Sequence, residues 1–248
     1  MSKTKLTLNE FSSAIKNIKT EMDKLCSPDE PNYFPIYDGP INNEQYFHSF
    51  IKIVWVLKEA YTETNENGER GGEDYGDGFF IPDDIYAFIR SQPSKKTWAP
   101  IAYTSYSILN GFLIYNDLAD LDEEPFMAQA INQVAVVNTK KMPGTSRSKM
   151  KEIEAAFEES KDLLSRQLQL LSPDIVIGGN TLYMYLKMFG LSEPTGLTPI
   201  FKRPYYVKDG RLFIDAYHPA RIGSPFNYVD DIVLVAKEWF QQYQLTQP

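Results

Sequence analysis

The residues best suited to chemistry in this sequence stand just after short apolar runs. Glu59 follows the run "IVWVL", Asn138 follows "VAVV", and His218 follows "FIDAY". An acid, an amide and an imidazole in one crevice can activate water, read the polar edge of a planar ring and stabilise a developing anion. His218 is one of two histidines in the chain, and Pro219 ends the run beside it. We therefore expect these three run ends to meet at one candidate site.

Four apolar, β-branched runs predict strands, at residues 51–57, 134–137, 174–179 and 211–217. Helical periodicity appears between and after them, at residues 98–115, 149–171, 181–189 and 229–243. Strands that are apolar throughout and alternate with helices indicate a mostly parallel sheet covered on both faces. The predicted fold class is therefore α/β, a three-layer α/β/α domain with a mostly parallel central sheet.

Several local signals refine this prediction. Asp209 and Gly210 form a hairpin turn signal, so one antiparallel strand is expected before the last run. Asn180 and Gly190 are suited to begin and end the helix between them. In an open α/β sheet a ligand binds beyond the carboxyl ends of the strands. Asn180 and Thr181, after the third run, are expected at that edge with the other polar residues.

The length of the chain and the lack of a linker-like tract favour a single domain over residues 1–248. Residues 1–27 predict an N-terminal amphipathic helix packed on that domain. Its apolar positions recur at steps of three and four, at Leu8, Phe11, Ile15, Ile18, Met22 and Leu25. Thr7 and Glu10 have the spacing of a capping box at its start.

Charge and cysteine content narrow the classes of function. The chain has 25 basic and 33 acidic residues and a net charge of −8, which opposes non-specific attachment to a polyanion. The single cysteine, Cys26, excludes an internal disulfide and cysteine-ligated zinc or iron–sulfur sites, and it favours the reducing cytoplasm. The longest apolar runs are too short to cross a bilayer, so no membrane partner is expected.

Charge is unevenly distributed along the chain. Residues 62–84 are rich in acids and glycines and predict a loop at the carboxyl end of the first strand, with Phe79 and Phe80 near its end. The stretch "NTKKMPGTSRSKMK" contains no acid and predicts a local basic edge, which carries Lys140, Lys141, Arg147, Lys149 and Lys151.

Taken in order, these segments resemble the uracil-DNA glycosylase superfamily, closest to the branch whose first motif reads G-E-A-P-G. "WVLKEAYT" is similar to the strand and E-A of that motif, and "GDGFF" to its G-x-P-F. "VAVVNTKKMP" is similar to the strand plus asparagine, "LSPDIVIGGNT" to the proline, strand and glycine turn, and "AYHPAR" to the terminal H-P-S. Order and spacing agree over roughly residues 50–222, so the resemblance implies a uracil-DNA glycosylase-like fold.

The resemblance also implies roles for the candidate residues. As catalytic residues, Glu59 would orient the water that attacks the sugar C1′, and His218 would donate a hydrogen bond to the base oxygen that gains charge. The implied base-binding residues are Tyr61, Phe79, Phe80 and Asn138, with one of the two phenylalanines stacked on an extruded base. The implied contacts to the nucleic-acid backbone are Lys140, Arg147 and Arg221.

The sequence departs from the family motifs at three positions. Lys58 replaces a glycine, Tyr61 a proline and Ala220 a serine, and the four cysteines of the branch's iron–sulfur cluster are absent. The expected function is excision of uracil or a related damaged base from DNA, in an extruded or single-stranded position, without a metal or other cofactor. Two alternatives stay open. One is a non-catalytic module that binds a nucleobase, nucleotide or nucleic acid, and the other is an acidic protein-interaction module whose partner the sequence does not identify.

Overall fold

The computed structural model describes residues 6–27, 29–77, 85–91, 95–145 and 147–244. Within these ranges one sheet contains seven strands: β1 (Gly39–Pro40), β2 (Ile53–Leu57), β3 (Val134–Asn138), β4 (Ile175–Gly179), β5 (Gly196–Leu197), β6 (Pro204–Lys208) and β7 (Arg211–Ala216). Their order across the sheet is β1-β3-β2-β4-β7-β6-β5.

The centre of the sheet is parallel and its edges are antiparallel. β3, β2, β4 and β7 run parallel to one another, whereas β1, β6 and β5 are antiparallel to their neighbours. Every residue of β2, β3 and β4 is buried, which explains why these runs are apolar throughout. All four predicted strands are confirmed, with small differences at their ends.

Within the described ranges the α-helices are α1 (Leu8–Met22), α2 (Asn43–His48), α3 (Ile85–Arg90), α4 (Lys95–Leu109), α5 (Met150–Leu171), α6 (Leu182–Phe189) and α7 (Pro225–Trp239). The helices α3, α4 and α7 pack on one face of the sheet, around Trp55 and Ile177. The helices α1, α2, α5 and α6 pack on the other face, around Val54 and Val176. The α/β class is therefore confirmed, and the helices on both faces agree with a three-layer arrangement.

Short helical turns fill some of the connections. The 3₁₀ segments are Asp23–Leu25, Tyr75–Asp77, Tyr115–Asp117, Pro125–Gln133 and Pro219–Arg221, and a π-helical turn, Phe240–Gln244, follows α7. The π-helical turn lies at the end of the helix predicted over residues 229–243. The 3₁₀ segments, the short helices α2 and α3 and the two-residue strands β1 and β5 were not predicted as elements, because short segments show no clear periodic pattern.

Three predicted helices differ from the structure at their ends. The one predicted over residues 229–243 begins earlier, at Pro225, and continues past Trp239 as the π-helical turn. The helix predicted over residues 98–115 ends at Leu109, because Gly111 and Phe112 adopt left-handed backbone angles of φ +96° and +62°. Asn180 does not cap α6: it too is left-handed, at φ +61°, and Thr181 takes the N-cap position. The predicted end of α6 at Gly190 is confirmed, with φ +64°.

The N-terminal helix has the predicted capping box. The Thr7 hydroxyl oxygen accepts a hydrogen bond from the Glu10 backbone N–H at 3.3 Å, and the Thr7 backbone N–H donates to the Glu10 carboxylate at 2.7 Å. The apolar face of α1 is buried, with Phe11 and Ile15 in the core shared with α5 and α6. The helix therefore packs on the same core as α5 and α6.

The hairpin before the last parallel strand is also confirmed. Asp209 and Gly210 connect β6 to β7 with φ of +51° and +74°, the two left-handed positions of a two-residue hairpin turn. No helix within the described ranges is long and apolar enough to cross a membrane.

Candidate functional site

A cavity of about 500 Å³ opens at the carboxyl ends of β2, β3 and β7. The predicted site residues that line it are Glu59, Tyr61, Asn138, His218 and Arg221. After β2, the chain forms β3 on one side of β2 and then β4 on the other side. The direction in which strands are added to the sheet therefore reverses at β2. Open α/β sheets bind ligands beside such a reversal, beyond the carboxyl ends of the strands.

Asn138 is the last residue of β3 and is fully buried beneath this cavity. Its backbone N–H donates to the Asp38 carboxylate at 2.7 Å, and its side-chain amide donates to the Tyr75 hydroxyl at 3.2 Å. Burial raises the pKa of Tyr75 well above its usual range, so its hydroxyl stays protonated at neutral pH. Both contacts hold the Asn138 amide in one position at the cavity wall.

A buried polar cluster supports Asn138 from below. The Lys141 ammonium donates to the two carboxylate oxygens of Asp38 at 2.7 and 3.0 Å and to the Gln167 side-chain oxygen at 2.8 Å. The Gln167 amide donates back to Asp38 at 2.8 Å. Burial lowers the pKa of Lys141, and the adjacent Asp38 carboxylate opposes that change. The prediction that Lys141 belongs to an exposed basic edge is wrong, because its side chain is fully buried in this cluster.

Glu59 is held by contacts between the segments that follow β2 and β3. The Lys140 N–H donates to the Lys58 carbonyl at 2.8 Å, and the Gly144 N–H donates to the Ala60 carbonyl at 2.7 Å. The Glu59 side chain is only 5% exposed and lies 2.8 Å from the Lys140 ammonium. A Cβ atom at position 144 would lie 2.0 Å from the Glu59 carboxyl carbon, so this approach requires glycine. Lys140, predicted to contact nucleic acid, is ion-paired with Glu59 instead of projecting freely.

His218 follows β7 and caps the 3₁₀ turn Pro219–Arg221. Its Nδ1 atom accepts a hydrogen bond from the Ala220 N–H at 3.2 Å, which assigns the proton of the neutral ring to Nε2. Burial, reinforced by the nearby charges of Lys58 and Arg221, lowers the pKa of His218 to about 4. The ring is therefore a neutral Nε2–H donor at physiological pH.

Asp215 does not satisfy His218. It accepts a hydrogen bond from the Arg203 guanidinium at 2.5 Å, and its other carboxylate oxygen has no hydrogen-bond partner within the described part of the chain. Because Asp215 pairs with Arg203, it does not hold the His218 side chain, and the His218 ring stays available to the cavity.

The mouth of the cavity carries more basic than acidic side chains. Lys58, Lys96 and Arg221 line it together with Glu59 and Glu63. Tyr61 stands at this mouth, 44% exposed, and its hydroxyl donates to Glu63 at 2.8 Å. The cavity is thus locally suited to an anion, although the whole chain is acidic.

Some predicted residues do not reach the cavity. Arg147 is exposed outside its lining, although the neighbouring Thr145 and Ser148 contribute to it. Thr181 turns inward and donates to the Val56 carbonyl at 2.7 Å, so the third strand end does not supply the cavity. Phe79 and Phe80 lie outside the described residues.

Other lining residues were missed by the sequence analysis. Tyr75 and Trp98 both line the cavity, with ring centroids 5.8 Å apart in an edge-on arrangement. Trp98 stood in the predicted helix as an ordinary apolar position, and Tyr75 lay in the acidic loop without a motif of its own. Asp38 and Gln167, which support Asn138 from below, were also missed. In a sequence, polar residues that become buried look like surface residues.

Comparison of the chain with protein-family models and with curated proteins finds no match. Within the described residues, no group of three His, Cys, Asp or Glu side chains is arranged to hold a metal ion.

Proposed function

We propose that this protein hydrolyses the N-glycosidic bond of uracil, or of a related damaged base, in DNA. The observation that carries the proposal is that Glu59, Asn138 and His218, from three separate strand ends, line one cavity of about 500 Å³. That volume lies in the range of small-molecule sites. A target base has to leave the stack of a duplex, or belong to a single strand, to enter it.

The charges that develop in this reaction match the two sides of the site. As the bond between C1′ and the base nitrogen breaks, its electron pair leaves with the base and the sugar becomes cationic. The Glu59 carboxylate stabilises that cation and accepts a proton from the water whose oxygen bonds to C1′. The neutral Nε2–H of His218 donates to the carbonyl oxygen of the departing anionic base, and Asn138 holds the polar edge of the base.

Excision from an oligonucleotide tests this proposal directly. A 5′-labelled single strand with one deoxyuridine is incubated with excess protein, treated with hot alkali and separated on a gel. We expect cleavage at the uracil position. We expect His218→Ala and Asn138→Ala each to lower the rate by about 100-fold or more, because each removes a group that stabilises developing charge.

The second histidine supplies a matched control. His48 is exposed at the end of α2 and does not line the cavity, so His48→Ala is expected to retain the wild-type rate. An intact strand after long incubation with excess wild-type protein, in single-stranded and duplex form, would contradict hydrolysis.

A second function, binding without hydrolysis, is favoured by the contact between Glu59 and Lys140. The carboxylate is almost fully buried and paired with an ammonium, which restricts its access to a water molecule. Under this alternative, dUMP raises the melting temperature of the protein and no free uracil is released. Release of uracil would exclude it, and the absence of any shift with dUMP or uracil would contradict binding without hydrolysis.

A further inference from the structure

A second cavity, of about 440 Å³, adjoins the candidate site. It lies between α3, α4 and the 3₁₀ turn Pro219–Arg221. Lys96 and Ala220 line both cavities, so they form the ridge between them. Within the described residues Glu59, Asn138 and His218 line only the first cavity, so the proposed reaction makes no use of the second.

The walls of the second cavity include apolar and aromatic residues. The rings of Tyr103 and Tyr115 lie there with their centroids 5.1 Å apart, and Pro219 and Pro225 add flat apolar surfaces. The Tyr103 hydroxyl accepts a hydrogen bond from the Leu121 N–H at 2.9 Å, which fixes its ring at the wall. Such walls suit a planar ring, and every nucleobase has a face that stacks on aromatic side chains.

The second cavity is also lined by charged side chains of both signs. Lys96 stands on the shared ridge with Lys95 beside it, and none of the ion pairs found in the described ranges includes either lysine. Asp120 and Asp122 also line the cavity, and Asp122 is paired with Arg90 at 3.1 Å. A phosphodiester is therefore favoured at Lys96 and disfavoured near the two aspartates.

We propose that the second cavity binds the nucleobase next to the target base on the same strand, with the intervening phosphate at Lys96. This inference rests on the proposed function and narrows its substrate class. Two adjacent bases enter two cavities only when they are unstacked from each other, so the substrate is a single-stranded or locally melted segment of at least two nucleotides. A mononucleotide fills the first cavity alone.

A short substrate series tests the second cavity. Excision rates are measured for dUMP and for two dinucleotides, with deoxyuridine in the 5′ or in the 3′ position. Each dinucleotide is compared with an analogue whose neighbouring base is replaced by hydrogen. We expect one of the two complete dinucleotides to exceed its baseless analogue in kcat/KM by about tenfold, the contribution of one stacked base.

Two variants connect this advantage to the second cavity. Ala99→Trp fills the cavity from α4, and Lys96→Met removes the charge from the ridge. We expect Ala99→Trp to reduce the ratio of the complete to the baseless dinucleotide rate toward one. We expect Lys96→Met to lower kcat/KM for both dinucleotides alike, because both keep the intervening phosphate. The ratio is measured within one protein preparation, so it does not depend on the amount of folded variant. Lys151→Met, on the exposed side of α5, is the matched control and keeps the wild-type ratio.

The outcomes separate this inference from the proposed function. Excision with a ratio of one in the wild type, or with a ratio that Ala99→Trp leaves unchanged, overturns the second cavity as a base site and leaves the glycosylase proposal standing. No excision of any substrate, together with fluorescence-detected dinucleotide binding that Ala99→Trp weakens by about tenfold, contradicts hydrolysis and supports the second cavity.

Discussion

At the residue scale, the surroundings of His218 determine both its tautomer and its charge. The Ala220 N–H selects its tautomer, and burial beside Lys58 and Arg221 keeps the ring neutral. A neutral donor is useful beside an anionic leaving group, since it stabilises the charge without first having to be protonated. The same surroundings make the folded protein resist protonation of this ring.

This resistance predicts a pH dependence of stability. Unfolded His218 takes up a proton as the pH falls through about 6.5, whereas folded His218 stays neutral down to about pH 4. The unfolded state therefore binds more protons between these values, and the fold loses stability as the pH falls through this window. We expect the free energy of unfolding of the wild type to fall by about 3 kcal/mol more than that of His218→Asn between pH 7 and 4.

Urea unfolding at a series of pH values measures this difference. His48→Asn serves as the control, because His48 is exposed and its replacement is expected to leave the wild-type curve unchanged over the same range. Parallel curves for the wild type and His218→Asn would contradict a buried, neutral imidazole.

A second prediction concerns Gly144, which packs against the Glu59 carboxyl group. Gly144→Ala places a methyl group 2.0 Å from the Glu59 carboxyl carbon, so either the carboxylate or the loop has to move. We expect the excision rate to fall by about 100-fold, since small displacements of catalytic groups have effects of that size. Gly223→Ala is the control, as a methyl group there meets no atom within 4 Å. A wild-type rate for Gly144→Ala would show that the position of Glu59 is unimportant.

At the scale of elements, the site depends on a cluster that connects β1, β3 and α5. Asp38 directly precedes β1, Lys141 follows β3, and Gln167 lies on α5. Their hydrogen bonds hold the end of β3, and with it Asn138, against the helix layer. The short strand β1 thus positions Asp38 as well as pairing with β3.

Removing one member of this cluster should be strongly destabilising. Lys141→Met leaves the Asp38 carboxylate buried without its cation, and we expect a loss of about 3–5 kcal/mol in the free energy of unfolding by urea. The double variant Asp38→Asn with Lys141→Met should recover a large part of this loss, because no isolated charge remains. Lys149→Met, in an exposed ion pair, is the control and is expected to leave the free energy of unfolding nearly unchanged. A similarly small change for Lys141→Met would contradict the buried pair.

The elements that were predictable from the sequence are those with a regular pattern. The central strands lie between two helix layers, so their uninterrupted apolar runs reflect their position directly. The helix predicted to continue to Tyr115 could not be bounded in the same way. Its apolar spacing continues past Leu109, while the left-handed turn at Gly111 and Phe112 depends on a local conformation that periodicity does not show.

The candidate site was predictable to a similar extent. Glu59, Asn138 and His218 follow strands that meet at one edge of a parallel sheet, so the fold class alone brings them together. The fates of Lys140 and Lys141 were not predictable: adjacent lysines in one basic stretch enter two different ion pairs, one partly exposed and one buried. Which partner each side chain meets depends on contacts with residues more than 80 positions away.

At the scale of the whole molecule, the net charge of −8 contrasts with the basic residues at the cavity mouth. An acidic surface repels a nucleic-acid backbone in most orientations, whereas Lys58, Lys96 and Arg221 attract it at one place. Binding of nucleic acid would therefore be confined to the region of the two cavities.

This arrangement predicts a shallow salt dependence. With three cations at the mouth, the logarithm of the binding constant for single-stranded DNA is expected to fall with the logarithm of salt concentration with a slope of about −2. Fluorescence anisotropy with a non-hydrolysable 2′-fluorinated deoxyuridine strand measures it. Arg221→Gln should make the slope less steep by about 0.7, while Arg166→Gln, on α5 and paired with Glu21, should not change it. Equal slopes for the wild type and Arg221→Gln would exclude Arg221 as a phosphate contact.

The two outermost strands of the sheet, β1 and β5, are only two residues long, and β1 contains Pro40, which has no N–H to donate. Side chains accept hydrogen bonds from backbone N–H groups of the neighbouring strands. The Asp38 carboxylate accepts from the Asn138 N–H at the end of β3, and the Thr195 hydroxyl accepts from the Val207 N–H in β6. A second chain approaching either margin therefore finds few free backbone groups to extend the ladder. The fold is in this way protected against the strand-by-strand stacking that begins fibril growth.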